Sequence, residues 1–263
     1  MLTVVRAGPL LTVQDLGRPG LAHLGVSRSG AADRAALVRA NRMVGNPDDA
    51  ACLETTLASA VLSSDEDVMV ALTGAVSERV VGLGQGEVLT VPPAHGGARV
   101  YVAVAGGIDV APVLGSRSRD VLAGLGPEPL KDGDVLPVGA ARGDGAPVAA
   151  PDPRVDVLAL LPGPRVDQVD VSALPCEYVV TRLSNRIAVR LQGPALLHVE
   201  ASELPSEGLV PGAVQVPPDG QPVIMLADFP TTGGYPVIGV VPEAQLSTVA
   251  QLRPGERIAL AVQ

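Results

Sequence analysis

Aromatic residues are nearly missing from this chain: its 263 positions include three tyrosines, one phenylalanine and no tryptophan. That removes the stacking platforms a single-stranded nucleic acid would need, and it leaves Val, Leu, Ile and Ala to fill the core, residues that suit short β-strands. Lysine is almost absent as well, with Lys131 standing alone, and the formal net charge is −9. No basic surface is available to displace counterions, so nucleic acid is excluded as a partner. The two cysteines, Cys52 and Cys176, show no CxxC or CxxH spacing. Neither a disulfide framework nor a metal site is expected from them. No stretch approaches 18 uninterrupted apolar residues, and the opening MLTVVRAGPLL lacks the basic, apolar and cleavage segments of an export signal. A cytoplasmic protein with no membrane partner is the expectation.

Punctuation is what the chain has in quantity, with 30 Gly and 25 Pro. Both residues break helices, which excludes a helical bundle. The pattern predicts strands over Leu2–Arg6, Leu10–Val13, Val68–Leu72, Arg79–Leu83, Val88–Val91, Arg99–Val104 and Val135–Val138. Further strands are predicted over Val155–Leu161, Glu177–Thr181, Ile187–Leu191, Val223–Leu226 and Val237–Val241. Apolar and small residues at helical spacing predict a helix over Ala32–Val44, capped by Ser29 and stopped at Gly45-Asn46-Pro47. A shorter helix over Glu243–Leu252 precedes a final hairpin. The aperiodic stretch GAARGDGAPVAAPDP reads as a linker. Two domains follow, 1–140 and 154–263, joined by 141–153. The similar turn-plus-strand endings at Leu130–Leu136 and Leu252–Ile258 suggest two β-barrel-like halves, mainly β with a few short helices.

Two stretches concentrate chemistry. Gln14–Arg34 (QDLGRPGLAHLGVSRSGAADR) is far longer than an ordinary connection, and long irregular segments are often functional. Within it Asp15 and Arg18 either orient a carboxylate or amide substrate or brace a turn. His23 is a candidate acid or base, and Asp33 suits a first helical turn. The second stretch runs from Glu203 to Gln221 and resumes over Asp228–Val241. Here Gly233-Gly234 could form an anion-binding nest or a hairpin turn, with the Tyr235 hydroxyl as donor and Asp228 or Glu207 as base. Candidate catalytic residues are therefore Asp15, Glu207, Asp228 and Tyr235. Candidate substrate contacts are Gln14, Arg18, His23, Ser29, Gln215, Thr231, Thr232, Gly233 and Gly234. A GxxxxGK[ST] loop, an HExxH pair and a GxSxG elbow are all missing from the sequence, and Lys131 lacks the Met-Lys-Met setting of a biotinylated lysine.

In order, QDLGRPG, GVSRSGAADR, ANRMVGNPDDAACLETTLA, ALTGA, YVAVAGGIDVAPVLGSRS, SNRIAVRLQG, SEGLVPGAVQVPPDGQPVIML and TTGGYPVIGVV resemble the second-subunit family of allophanate hydrolase-like proteins. This family is also called the biotin-dependent carboxyltransferase family. It includes the C component of 5-oxoprolinase, the antagonist member of the Kip kinase-inhibitor pair, and half of the urea carboxylase carboxyltransferase domain. The resemblance spans nearly the whole chain. It implies a cyclophilin-like β-barrel fold, a first-subunit partner, and a third subunit for ATP-dependent cleavage of 5-oxoproline to glutamate. It also implies two alternatives: a carboxyltransferase component of a urea or amide carboxylase, with biotin carried by a partner, and a non-catalytic regulator that binds a kinase-inhibitor homologue. Two departures stand out: Phe229-Pro230 occupy the place of the family's usual Gln before TTGGYP, and Gly124–Pro129 replace a GGxxGR-like run.

Overall fold

The computed structural model describes residues 1–199 and 204–263. The chain divides into two compact units, the first made of Met1–Arg18, Ser29–Asp120 and Gly124–Asp152, the second of Pro19–Arg28, Val121–Ala123 and Pro153–Gln263.

The first unit opens with strands Leu2–Arg6 (β1) and Leu11–Gln14 (β2) and helix Arg34–Met43 (α1). Cys52–Thr56 (β3), Ala60–Ser64 (β4), Val68–Gly74 (β5), Arg79–Leu83 (β6), Val88–Val91 (β7), Arg99–Val104 (β8) and Val135–Leu136 (β9) follow. They make two sheets, ordered β7-β4-β1-β9 and β2-β3-β8-β5-β6. One face of each feeds a shared core, with Leu2, Val4, Leu62 and Val91 from the first and Leu11, Val13, Leu53, Leu72 and Val102 from the second. Strand β4 shows the underlying rule, since its residues alternate between buried and partly buried along AVLSS. Strand β8 does not alternate; all six of its residues are buried, because its other face carries α1. There Tyr101 and Ala103 pack with Ala36, Leu37 and Ala40, and the alanines let the helix approach closely.

Helix α1 starts later than the spacing predicts, and its cap differs. The Asp33 carboxylate accepts from Ala36 N–H at 3.0 Å, so Asp33 is the N-cap. Ser29 instead takes φ +52° and donates its hydroxyl to Arg119 O at 3.3 Å. A serine four residues before the N-cap cannot reach the helix's first free N–H groups. The Gly/Ala/Pro stretch after β9 runs along the first unit, where Gly139 N–H donates to Gly107 O at 3.0 Å and Ala146 N–H to Arg42 O at 3.0 Å.

The second unit contains Val157–Pro162 (β10), Cys176–Val180 (β11), Ala188–Gln192 (β12), Glu207–Gly208 (β13), Ala213–Gln215 (β14), Val223–Met225 (β15), Thr232–Gly233 (β16) and Val237–Val240 (β17). Helix Glu243–Gln251 (α2) and strand Arg257–Val262 (β18) complete it. Seven strands close a barrel in the order β10-β17-β14-β15-β12-β11-β18, with Leu158, Leu160, Tyr178, Val180, Ile258 and Leu260 buried. The chain does not end in a hairpin. Strand β18 lies parallel to β10, with Val157 opposite Ala259, and antiparallel to β11. A parallel pair requires a long connection, here the rest of the unit, so no local pattern announces it. Among the described residues no helix is long and apolar enough to cross a membrane, and no group of His, Cys, Asp or Glu could hold a metal ion.

Near the barrel closure Arg154 Nη2 meets Glu256 Oε2 at 2.8 Å, and Arg253 N–H donates to the same oxygen at 3.0 Å. Burial pushes the Glu256 carboxyl up, but the bonds from Arg154 and Arg253 outweigh it and hold it below the ordinary glutamate range. A depressed folded pKa stabilises above the unfolded value, about 4.3, and that contribution is lost as pH falls through the folded one. Urea midpoints should therefore show Glu256→Gln less stable than the wild type at pH 7, with the gap closing below about pH 4.

Candidate functional site

In the first unit the end of β2 and the GSRS segment, about a hundred residues later, are drawn together by one carboxylate. Asp15 Oδ1 accepts from Gly17 N–H at 2.7 Å and from the Ser116 hydroxyl at 2.6 Å, and Oδ2 accepts from Arg117 N–H at 2.6 Å. The Ser116 oxygen lies 2.7 Å from the Ser118 hydroxyl. Arg18, 2% exposed, sends Nη2 to Ser118 O at 2.6 Å and Nε to Val113 O at 3.3 Å. Asp15 and Arg18 thus take separate partners on the same segment. A buried carboxylate with three short donors is held in one geometry, and both loops are held with it.

The neighbouring main chain is organised in the same way. Gln14 Nε2 donates to Arg119 O at 3.0 Å, the oxygen that also accepts from Ser29. Three successive amides are then taken up: Ala31 N–H by Asp15 O at 2.9 Å, Ala32 N–H by Glu54 Oε2 at 3.1 Å and Asp33 N–H by the Tyr101 hydroxyl at 2.7 Å. Tyr101 in turn donates to Glu54 at 2.6 Å, and burial, reinforced by Glu54 and Asp33, pushes its hydroxyl well above the usual tyrosine range. Gly30 is required here. It has φ +91°, and a Cβ on it would stand 2.7 Å from Gly17 N and 2.9 Å from Asp15 O. Glu54, Tyr101, Ser116 and Arg119 were missed by sequence reasoning. The GSRS motif was visible, but nothing in the linear order links it to Asp15.

The second unit gathers the other candidates differently. Asp228 is 0% exposed and receives Arg186 Nε at 2.8 Å, Arg186 Nη2 at 3.0 Å and Val121 N–H at 3.1 Å. It is the acceptor of a buried bidentate ion pair. Glu207 is paired with Arg165, whose Nε lies 3.0 Å from Oε1, and this bond holds the Glu207 carboxyl below its ordinary range. Strand β13 pairs with β16, Glu207 opposite Gly233 and Gly208 opposite Thr232. Gly233 and Gly234 have neither the positive φ of an anion nest nor that of a hairpin turn. What Gly233 provides is room, since a Cβ there would sit 2.6 Å from Gln215 Nε2. Gln215 is buried and donates to Tyr235 O at 3.1 Å, and Leu209 N–H bonds Thr231 O at 2.9 Å. The Tyr235 side chain is 48% exposed, and Thr232 is exposed as well. His23 is exposed, with Nδ1 3.1 Å from Gly20 O. Glu203, which opens the second predicted stretch, lies outside the described residues.

The two sequence departures also have structural roles. Phe229 packs into the core with Leu209, Val223, Met225 and Val237, and Arg119 Nη1 reaches Glu128 Oε1 at 2.8 Å and Gly126 O at 3.4 Å.

A two-sheet β unit with a carboxylate-clasped polar site, together with a seven-stranded barrel, defines a bipartite, mainly β protein whose candidate groups come from loops and strand ends. The chain belongs to the carboxyltransferase domain family, subdomains A and B, whose model matches residues 24–262. It is 39% identical to the C component of 5-oxoprolinase from Escherichia coli, covering 98% of this chain and 90% of that one. It is 32% identical to the corresponding 5-oxoprolinase component of Haemophilus influenzae, again over 98% and 90%. Among solved structures it resembles Kluyveromyces lactis urea carboxylase at a TM-score of 0.89 and 28% identity, covering 98% of this chain and 27% of that one.

Two substitutions separate the roles of these carboxylates. Asp228→Ala leaves Arg186 charged and buried, and thermal or urea denaturation should show a loss of about 3–5 kcal/mol. Asp15→Asn keeps the size but removes the charge from three hydrogen bonds. It should cost about 1–3 kcal/mol, with hydrogen exchange quickening at Gly17 and Arg117 while the amides of β11 and β18 keep their protection.

Proposed function

We propose that this chain is one subunit of a 5-oxoprolinase, an ATP-dependent amidohydrolase that opens the lactam of 5-oxoproline to give glutamate and works only with partner subunits. The full-length similarity to a 5-oxoprolinase component, at 39% identity, carries the reading. Subunits of the first and third kind would complete the enzyme, in the cytoplasm. A lactam is a poor electrophile, and ATP would supply activation of its carbonyl by phosphorylation before water opens the ring. The Gly233-Gly234 pair, suggested as an anion-binding nest, offers none to a phosphate, because Gly233 lies in a strand and neither glycine has a positive φ. A partner would hold the nucleotide.

The groups of this chain serve as positioners and donors. The Asp15 clasp sets the Gln14–Arg18 turn against Ser116–Arg119. The exposed Tyr235 hydroxyl and Thr232 are the accessible donors for a lactam oxygen or a carboxylate. Asp228 and Glu207, each paired with an arginine, act by holding the second-unit loops in place.

A second reading has its own support. The family model describes a carboxyltransferase domain, and the similarity to urea carboxylase is close in shape, which favours a component that accepts a carboxyl group from biotin on a separate carrier. Co-expression with neighbouring first- and third-subunit homologues distinguishes the two. ATP-dependent glutamate release from 5-oxoproline is expected from the purified complex. Carboxylation of an amide in the presence of biotin carboxylase and carrier, with no glutamate release, would replace the first reading by the second. In an active complex, Tyr235→Phe should lower turnover by about 10²-fold or more, the cost of losing one transition-state donor, and Asp15→Asn should lower it with the complex still assembled.

A further inference from the structure

The first unit contains a cleft of about 320 Å³. That is near the lower end of the range of about 300–1,000 Å³ occupied by small-molecule sites, which suits a small metabolite. Its wall is built in advance. Gly139 N–H is bonded to Gly107 O, and a Cβ on Gly139 would stand 2.5 Å from Gly106 O, a chain crossing that glycine permits.

The charged residues lining this cleft are Asp49, Asp109, Arg117 and Arg142. Two of them are committed to each other: Arg117 Nη2 bonds Asp109 Oδ1 at 2.7 Å, while Arg117 Nε bonds Val110 O at 2.7 Å. Asp49 and Arg142 have no hydrogen bond or ion pair among the described residues. One uncommitted anion and one uncommitted cation therefore line the same small cleft. No cluster of ligating side chains makes it a metal site. A ligand that carries both charges on a short aliphatic frame matches all of these features.

We propose that this cleft binds a free α-amino acid, its carboxylate on the Arg142 guanidinium and its ammonium on the Asp49 carboxylate. The guanidinium fork is suited to a carboxylate. The site is separate from the Asp15 clasp, although Arg117 belongs to both, lining the cleft with its side chain and holding Asp15 with its main-chain N–H. The inference does not rest on the proposed activity and is read by binding alone.

Isothermal titration of the full chain with the standard amino acids, and with propionate and ethylamine as half-ligands, tests it. Saturable binding of at least one amino acid is expected, with each half-ligand weaker by about tenfold or more. Asp49→Asn and Arg142→Gln should each weaken the amino acid by about tenfold or more. The thermal midpoint should stay unchanged in both, because both side chains are exposed. Absence of saturable binding by every amino acid would overturn the proposal, as would equal binding of a half-ligand or unchanged affinity in both variants.

Discussion

The Asp15 carboxylate is the interaction on which the first unit's polar site depends. It is buried, it accepts from Gly17, Ser116 and Arg117, and two of those donors lie about a hundred residues away in sequence. A carboxylate in that position is costly unless satisfied, so its donors must be delivered by backbone that cannot drift. The arrangement explains the surrounding requirements together. Gly30 must be glycine because a Cβ there would stand 2.9 Å from Asp15 O, Ser29 tolerates a positive φ, and Glu54 and Tyr101 hold the next amides.

The charged residues of the second unit illustrate a different use of acidity. Asp228 and Glu207 looked like candidate bases when only their neighbours in the chain were known, and each turned out to face an arginine. Arg186 is separated from Asp228 by more than forty positions, so the pair is an outcome of how β12 and the loop after β15 are brought together in the barrel. Tyr235 and Thr232, by contrast, are exposed. The Arg186–Asp228 pair is fully buried, whereas the Arg165–Glu207 pair stays partly open to solvent.

Much of the fold was legible because short apolar, β-branched runs between turn residues leave a local mark. Strands β1, β6, β7 and β8 have the bounds that such runs and their flanking turns predict. Strands β3 and β4 escaped individual notice, since CLETT and AVLSS mix polar residues that are buried in the sheet. The short strands β13 and β16 escaped as well, because two residues carry no period. The Asp33 cap was misassigned to Ser29, as both residue types cap helices and only backbone position distinguishes them.

Composition and order by themselves determined that this is a mainly β chain with few helices, an aliphatic core and a recognisable set of family motifs. Those properties depend on neighbours within a few residues and on residue type. Tertiary structure alone decided that β18 closes a barrel in parallel with β10, that QDLGRPG meets GSRS through Asp15, and that Asp49 and Arg142 share a cleft. Each joins positions far apart in the chain, and such pairings are selected by packing and by the need to satisfy buried polar groups, which no local pattern records.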